Sequence, residues 1–375
     1  MDRIDVCIVG GGMAGASVAF HLAPHARVAL LEREPQVAYH STGRSAALYA
    51  PNYCSELVRR LTLAGRSFLS TPPEGFVEVP LLHERGFLLI GNNSQLPSRD
   101  KYESEALAAG LDAQRLTYAE ARALVPVLRQ ESCQWALLDP YAWDLDVDAL
   151  LQGFLRGARG HGATVHTSRE AAQVERDGAG WRITGPEYAL RANLLVNATG
   201  AWADEFAIRA GVDPLGLVPH RRTAFIFEPP PDTPIERWPM VTEAEGQFYF
   251  KPDAGRLLGS LAEEVPSPPV DAMPEDLDVA VAIDRIEQAI NYSVTRVIRS
   301  WTGLRVFAPD REPVSGFDPK APGFYWHAAL GGYGIQTSPA LGAYAAAQLL
   351  GRTCPQSLAE LGVVSEQLAP QRLRR

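Results

Sequence analysis

Arg222 in RRTAFIF and Arg305 in WTGLRVF are charged residues set inside apolar runs. Arginine is seldom buried without a partner, and its planar guanidinium holds a carboxylate through two parallel hydrogen bonds. The pair is therefore a candidate grip for a small acid, with a structural ion pair or an outward-facing strand position as the plain alternative. Tyr249 stands in the alternating run GQFYFKPDAG, sharing a face with Gln247 and Lys251 while Phe248 and Phe250 take the other. Two glycine turns offer a different chemistry. CIVGGGMAGASVAF (7–20) and HAALGGYGIQTSPALG (327–342) each end an apolar run in glycines and then read as helix. A helix N-terminus reached in this way presents backbone N–H groups to an anion. In the first turn Gly10, Gly12 and Gly15 form GxGxxG, and Glu32 ends the next apolar run about 20 residues on. The glycines allow the tight turn, the close approach of a pyrophosphate and close helix packing, while Glu32 suits ribose hydroxyls. An acid at this position argues against a 2′-phosphate and leaves FAD or NAD.

The elements that must position these residues read as an α/β chain. Residues 5–9, 13–23 and 26–31 give strand, helix and strand, the βαβ pattern. A further parallel strand is expected over 194–197, and another stretch, 323–330, feeds the second glycine turn. Asp148 is the expected cap of a helix through LLQGFLRGAR, which Gly160 and Gly162 stop before the strand ATVHT. Segments 80–91, 220–228 and 246–260 read as antiparallel strands, the last folded at PDAG, and EPPPDTPIERWP reads as a loop. The expected architecture is a discontinuous Rossmann-like dinucleotide domain (1–79, 143–219 and 307–375) and a sheet-rich substrate domain (80–142 and 220–306).

Composition excludes several classes. A chain of 375 residues, 46% of them apolar, can bury a large core and divide into two domains. The net charge of −9 gives no basic field for nucleic acid or anionic membrane, so the Arg-rich QRLRR reads as a solvated tail. No apolar run of about 18 residues predicts a membrane span, and the glycines with Asp2 and Asp5 favour a buried first strand over a signal peptide. The expectation is a cytoplasmic protein. Cys7, Cys54, Cys133 and Cys354 form no CxxC pair, and no His/Cys cluster has metal-ligand spacing, so neither a disulfide scaffold nor a metal is implied.

Taken together, EREPQVAYHSTGRSAALY, VNATGAW, FYFKPDAGRLLGS, WTGLRVFAPDREPVSGF and GGYGIQTSPALG resemble the FAD-dependent D-amino acid oxidase and glycine oxidase superfamily nearly end to end. The bacterial D-arginine dehydrogenase type is the member they resemble most. The resemblance implies a glutathione-reductase-like FAD domain and FAD held noncovalently, since no cysteine lies between Cys133 and Cys354, where covalent relatives attach the flavin. It implies cofactor contacts at the first turn with Met13 and Ala14, at Glu32 and Arg33, and along Ser41, Thr42, Arg44, Ser45, Ala46 and Ala47. It adds the backbone of Val174 beside the adenine and the wall Ala198, Gly200 and Trp202. The second turn, Gly331, Gly332, Tyr333, Gly334, Ile335, Gln336 and Thr337, would set amides against the flavin's pyrimidine edge, where the helix N-terminus favours the charge of the reduced cofactor.

The same resemblance implies that Arg222 and Arg305 bind a substrate carboxylate and that Tyr249 and Tyr53 donate hydroxyls to it. The Gly331 or Gly332 carbonyl would accept from the amine, with Gln336 assisting. The implied activity is oxidative deamination of a D-amino acid by hydride transfer, giving an imino acid that hydrolyses to a 2-oxo acid and ammonia. Oxygen or a quinone serves as electron acceptor. Glycine, sarcosine, another secondary amine or a 2-hydroxy acid are alternative substrates. Leu48 and Phe87 stand where the D-arginine dehydrogenase pattern has histidine and glutamate. With Leu48, Phe87, Met240 and Thr242 as pocket walls, apolar or aromatic D-amino acids are expected over D-arginine. Glu84 is the residue that would restore a charge by turning inward.

Overall fold

The opening strand, helix and strand form where their periodicity places them, as Asp2–Val9, Met13–Leu22 and Val28–Leu31, with the two strands parallel. The computed structural model describes residues 2–374. An eight-stranded sheet grows from this unit. Tyr188–Asn197 lies parallel on one side of Asp2–Val9, with Phe324–Ala328 parallel beyond it, and Thr164–His166 extends the other side. Helices Met13–Leu22 and Gly334–Leu349 pack against one another over one face of this sheet. Tyr188–Asn197 is longer than the expected 194–197 because its first half pairs antiparallel with Gly180–Gly185. The helix expected to start at Asp148 runs Val147–Gly160 and is capped by Asp146, whose carboxylate accepts from the Ala149 amide at 2.8 Å. Asp148 lies inside the first turn, where its charge complements the helix dipole.

The second, nine-stranded sheet is mixed. Phe87–Gly91 pairs antiparallel with Trp135–Asp139, as expected of the 80–91 segment, but parallel with Met240–Glu243. The hairpin Tyr249–Asp253 to Arg256–Ser260 turns through Ala254 and Gly255, both at positive φ. Residues paired across a sheet share a face, so the registers trace one row. Phe87 pairs with Met240, Thr242 with Tyr249, Tyr249 with Ser260, Ser260 with Ala224, and Arg222 with Gly303, which puts Phe87, Met240, Thr242, Tyr249, Arg222 and Arg305 on the same side. The opposite side carries Leu88, Val241, Phe250, Phe225, Phe227 and Leu257, packed under the helix Asp276–Ala289. Each fully buried phenylalanine there contributes about 1.5–3 kcal/mol. That core fixes the register, because a slip of one residue would turn the arginines into it. A third, three-stranded sheet comprises Leu48–Tyr49, Trp143–Leu145 and Leu82–Glu84; its strands are too short to show periodicity.

Candidate active site

A cavity of about 730 Å³ runs from the first glycine turn to the pocket face of the nine-stranded sheet. At one end lie Gly10, Gly12, Met13, Ala14, Glu32 and Arg33, and along it Ser41, Thr42, Arg44, Ser45, Ala46 and Ala47 face Ala198, Gly200 and Trp202. Gly10 has φ +112, and a Cβ there would sit 2.2 Å from the Ala198 carbonyl oxygen, so the backbone must stay bare. The Thr42 hydroxyl accepts from the Met13 amide at 3.0 Å, bringing the 41–47 segment onto the helix N-terminus. Ser41 Oγ donates to the Leu304 carbonyl at 2.5 Å, and Arg44 is committed to Asp271 and to the carbonyls of Ala272 and Thr302. Arg44 therefore pins the segment while lining the cavity. Glu32 takes the amides of Gly11 and Glu34, one on each oxygen. Trp202 lies under the Arg33 guanidinium at 3.9 Å.

At the other end the second turn lines the cavity with Gly331, Gly332, Gly334, Ile335 and Gln336. Among the described residues the amides of Gly334, Ile335 and Gln336 donate to no backbone carbonyl, the ordinary condition of a first helical turn. The residues fit FAD because the Gly10 cradle at the helix entrance admits only bare backbone. None of the four cysteines lines the cavity.

The two arginines of the candidate acid grip differ in their partners. Arg222 donates from Nε to the Glu263 carbonyl at 2.7 Å and from Nη2 to the Glu264 carboxylate at 3.2 Å, and Glu264 is also held by Arg311 at 2.6 Å. Arg305 makes no hydrogen bond or ion pair among the described residues. It stands beside Gly332, where a Cβ would meet both its Nη1 and the Tyr53 hydroxyl at 3.1 Å. Burial and the charge of Arg305 pull the Arg222 guanidinium below its ordinary pKa. Burial opposes charge on Arg305 too, but the phenols of Tyr53 and Tyr249 and the acids Glu264 and Glu263 outweigh it and raise its pKa. The Tyr53 phenol is itself raised by burial and by Cys54. Tyr53 reaches the cavity mouth from a loop bent at Cys54, φ +70. The candidate grip thus pairs one guanidinium already held by a carbonyl and a carboxylate with one left open near two phenols.

Leu48, Phe87, Met240 and Thr242 line the cavity beyond the grip. The Phe87 ring stacks on Tyr102 at 5.7 Å and 5°, and Tyr102 donates to the buried Asp139 at 2.9 Å, so that carboxyl is shielded. Glu84 lies outside the lining. Lys251, on the face of Tyr249, is buried in a 2.6 Å pair with Asp144. Glu245 and Glu264 are the acids at the grip end of the lining; Glu245 is exposed, where an ion pair contributes about 0–1 kcal/mol.

Four expected cofactor residues do not face the cavity. Gly15 lies against the Gly10 carbonyl, where a Cβ would be 2.0 Å away, and serves helix packing. Val174 is buried in the apolar cluster around Trp181, and Arg169, Glu170 and Ala171 line the cavity instead. Tyr333 is buried, donating to the Arg311 carbonyl at 2.7 Å, and Thr337 bonds back to the Tyr333 carbonyl. The Gln336 side chain, expected to assist catalysis, is also committed: it accepts from the Ala50 amide at 2.9 Å and donates to Thr62 at 3.1 Å. Sequence reasoning missed Glu264 and His327. Glu264 lies 42 residues from Arg222 with no spacing signal, whereas His327, a polar residue inside the apolar run FYWHAAL, was visible.

Residues 5–348 match the family DAO, FAD dependent oxidoreductase. The mitochondrial dimethylglycine dehydrogenase of Rattus norvegicus is 24% identical over 382 residues, covering 96% of this chain and 44% of the relative. The chain thus spans less than half the length of that relative. Glycine oxidase of Geobacillus kaustophilus is 24% identical over 358 residues, covering 91% of each chain. The crystal structure of that organism's glycine oxidase superposes with a TM-score of 0.83 at 23% identity, covering 96% of this chain and 98% of the other, and so shares the fold.

Proposed function

The chain belongs to the DAO family of FAD-dependent oxidoreductases, and from that premise we propose that it oxidises the amine-bearing carbon of a small amino acid, with apolar or aromatic D-amino acids favoured. The observation that carries this reading is the open Arg305 guanidinium between Tyr53 and Tyr249 at the far end of a cavity that begins in the FAD cradle. FAD, when bound, supplies the hydride acceptor. Arg305 holds the substrate carboxylate, the two phenols donate to it, and the Gly331 and Gly332 backbone flanks the amine. Fixing the acid in this way orients its α-carbon, which is where the rate advantage arises. The amine proton leaves to water; the imine then takes up water and releases ammonia and a 2-oxo acid. No side chain acts as nucleophile. Oxygen or a quinone takes the electrons afterwards.

The side-chain preference follows from Leu48, Phe87 and Met240, since a cation without a partner is penalised there and an apolar chain gains about 25 cal/mol per Å² buried. A second reading, oxidation of glycine, sarcosine or dimethylglycine, is supported by the relatives named above, and the carboxylate grip serves it equally. Steady-state turnover of D-phenylalanine, D-leucine, D-arginine, glycine, sarcosine and dimethylglycine tests the choice. The proposal expects kcat/KM for D-phenylalanine or D-leucine to exceed that for the other four by at least about tenfold, the value of 1.4 kcal/mol. Preference for D-arginine, or for the three small amines, overturns it.

A further inference from the structure

Arg222 donates to two groups of the segment that follows the strand Arg256–Ser260, and that segment is built against the arginine's own strand. Ser260 Oγ donates to the Thr223 carbonyl at 2.6 Å, and the Thr223 amide donates to the Glu263 carboxylate. Val265 and Pro266 then pair antiparallel with Arg221 and His220, so the run of the chain sets Glu264 opposite Arg222. The Glu264 carboxylate accepts from Arg222 Nη2 on one oxygen, at 3.2 Å, and from Arg311 Nη2 on the other, at 2.6 Å.

Arg222 and Glu264 both line the cavity, and their side chains keep 12% and 33% of their surface exposed. Burial works against the charge of Arg222, and the Arg305 guanidinium and the phenols of Tyr249 and Tyr53 also act on it, which sets the Arg222 guanidinium in the same space as the open one. Glu264 favours the charge of both arginines.

A carboxylate shared by two guanidiniums limits what this space can hold. Arg222, Arg305 and Arg311 face the acids Glu263 and Glu264, and the one positive charge left over is that of Arg305, which has no partner among the described residues. One ligand carboxylate satisfies it. A second would either sit beside Glu264, where like charges repel, or displace Glu264 from both arginines at the loss of two charge-assisted hydrogen bonds.

On the acid grip of the preceding subsection, we propose that Glu264 is a specificity-determining residue: by neutralising Arg222 it restricts the site to monocarboxylates and excludes substrates with a second acid group. The restriction holds for D-phenylalanine and for sarcosine alike, since each carries one carboxylate.

Binding of straight-chain acids to the FAD-loaded protein, followed by calorimetry and by perturbation of the flavin spectrum, tests this without turnover. Butanoate and pentanoate carry one carboxylate; succinate and glutarate match them in carbon number and carry two. The wild type should bind the monocarboxylates at least about tenfold more tightly. Glu264→Gln keeps the shape and removes the charge, and should shift the ratio at least about tenfold toward the dicarboxylates, as expected when one charge-assisted contact becomes free for the ligand. Glu264→Asp keeps the charge and should shift it less. Equal affinities for the two classes in the wild type would overturn the proposal without recourse to any variant. So would a ratio unmoved by Glu264→Gln, or equal shifts in the two variants, and each of these results leaves the acid grip standing. If the wild type binds neither class, the grip and the proposal fall together.

Discussion

Arg305 and Arg222 look equivalent as residue types in apolar runs, and the structure separates them by what each guanidinium already holds. Arg222 has the Glu263 carbonyl and Glu264, whereas Arg305 faces the cavity unpartnered among the described residues. The difference was illegible in the sequence because the partners arrive from a segment 41 and 42 residues away, joined only when the strands pair. Phe87, in contrast, was legible from its position in HERGFLLI, and it lines the cavity stacked on Tyr102. Phe87→Glu should lower kcat/KM for D-phenylalanine by at least about tenfold, because the new carboxylate would be desolvated beside an apolar side chain. The same variant should raise kcat/KM for D-arginine, which can neutralise it. Steady-state kinetics with both substrates checks this, and an unchanged ratio would remove Phe87 from the pocket wall.

At the scale of elements, the two helix entrances were readable because glycine and apolar runs are local signals, while the use of each side chain in them was not. Gln336 shows this. It stands in the second turn's first helical residues, yet its amide ties the helix Gly334–Leu349 to the Ala50 backbone and to Thr62 of the helix Glu56–Ala64. Gln336→Leu strands the Ala50 amide and should cost about 1–3 kcal/mol of stability, seen as a lower denaturation midpoint in apoprotein and holoprotein alike. Unaltered stability of both forms would return Gln336 to the list of reactive residues. The cap at Asp146 rather than Asp148 has the same origin: both acids stand ahead of the apolar face, and only the backbone path decides which one turns back to the Ala149 amide.

The whole molecule brings the ends of two sheets to one cavity. The eight-stranded sheet takes strands from 2–31, 164–197 and 314–328, and the nine-stranded sheet from 87–139 and 218–307, so each is assembled from distant parts of the chain. We propose the first as the FAD unit and the second as the substrate unit. What the sequence could not supply was the row across the second sheet, because registers between strands leave no local trace. That row places Phe87 at one end and Arg305 at the other, on a single side of one sheet, and under the proposed function that side serves both side-chain choice and acid binding. The most direct measurement is the anaerobic loss of flavin absorbance when D-phenylalanine is mixed with the FAD-loaded wild type and with Arg305→Leu. With Arg305 holding the acid, the wild type should bleach, and the variant, equal in FAD content, should bleach about 10²- to 10³-fold more slowly at low substrate, the loss of one charge-assisted bidentate contact. Equal bleaching rates in the two proteins would contradict the grip.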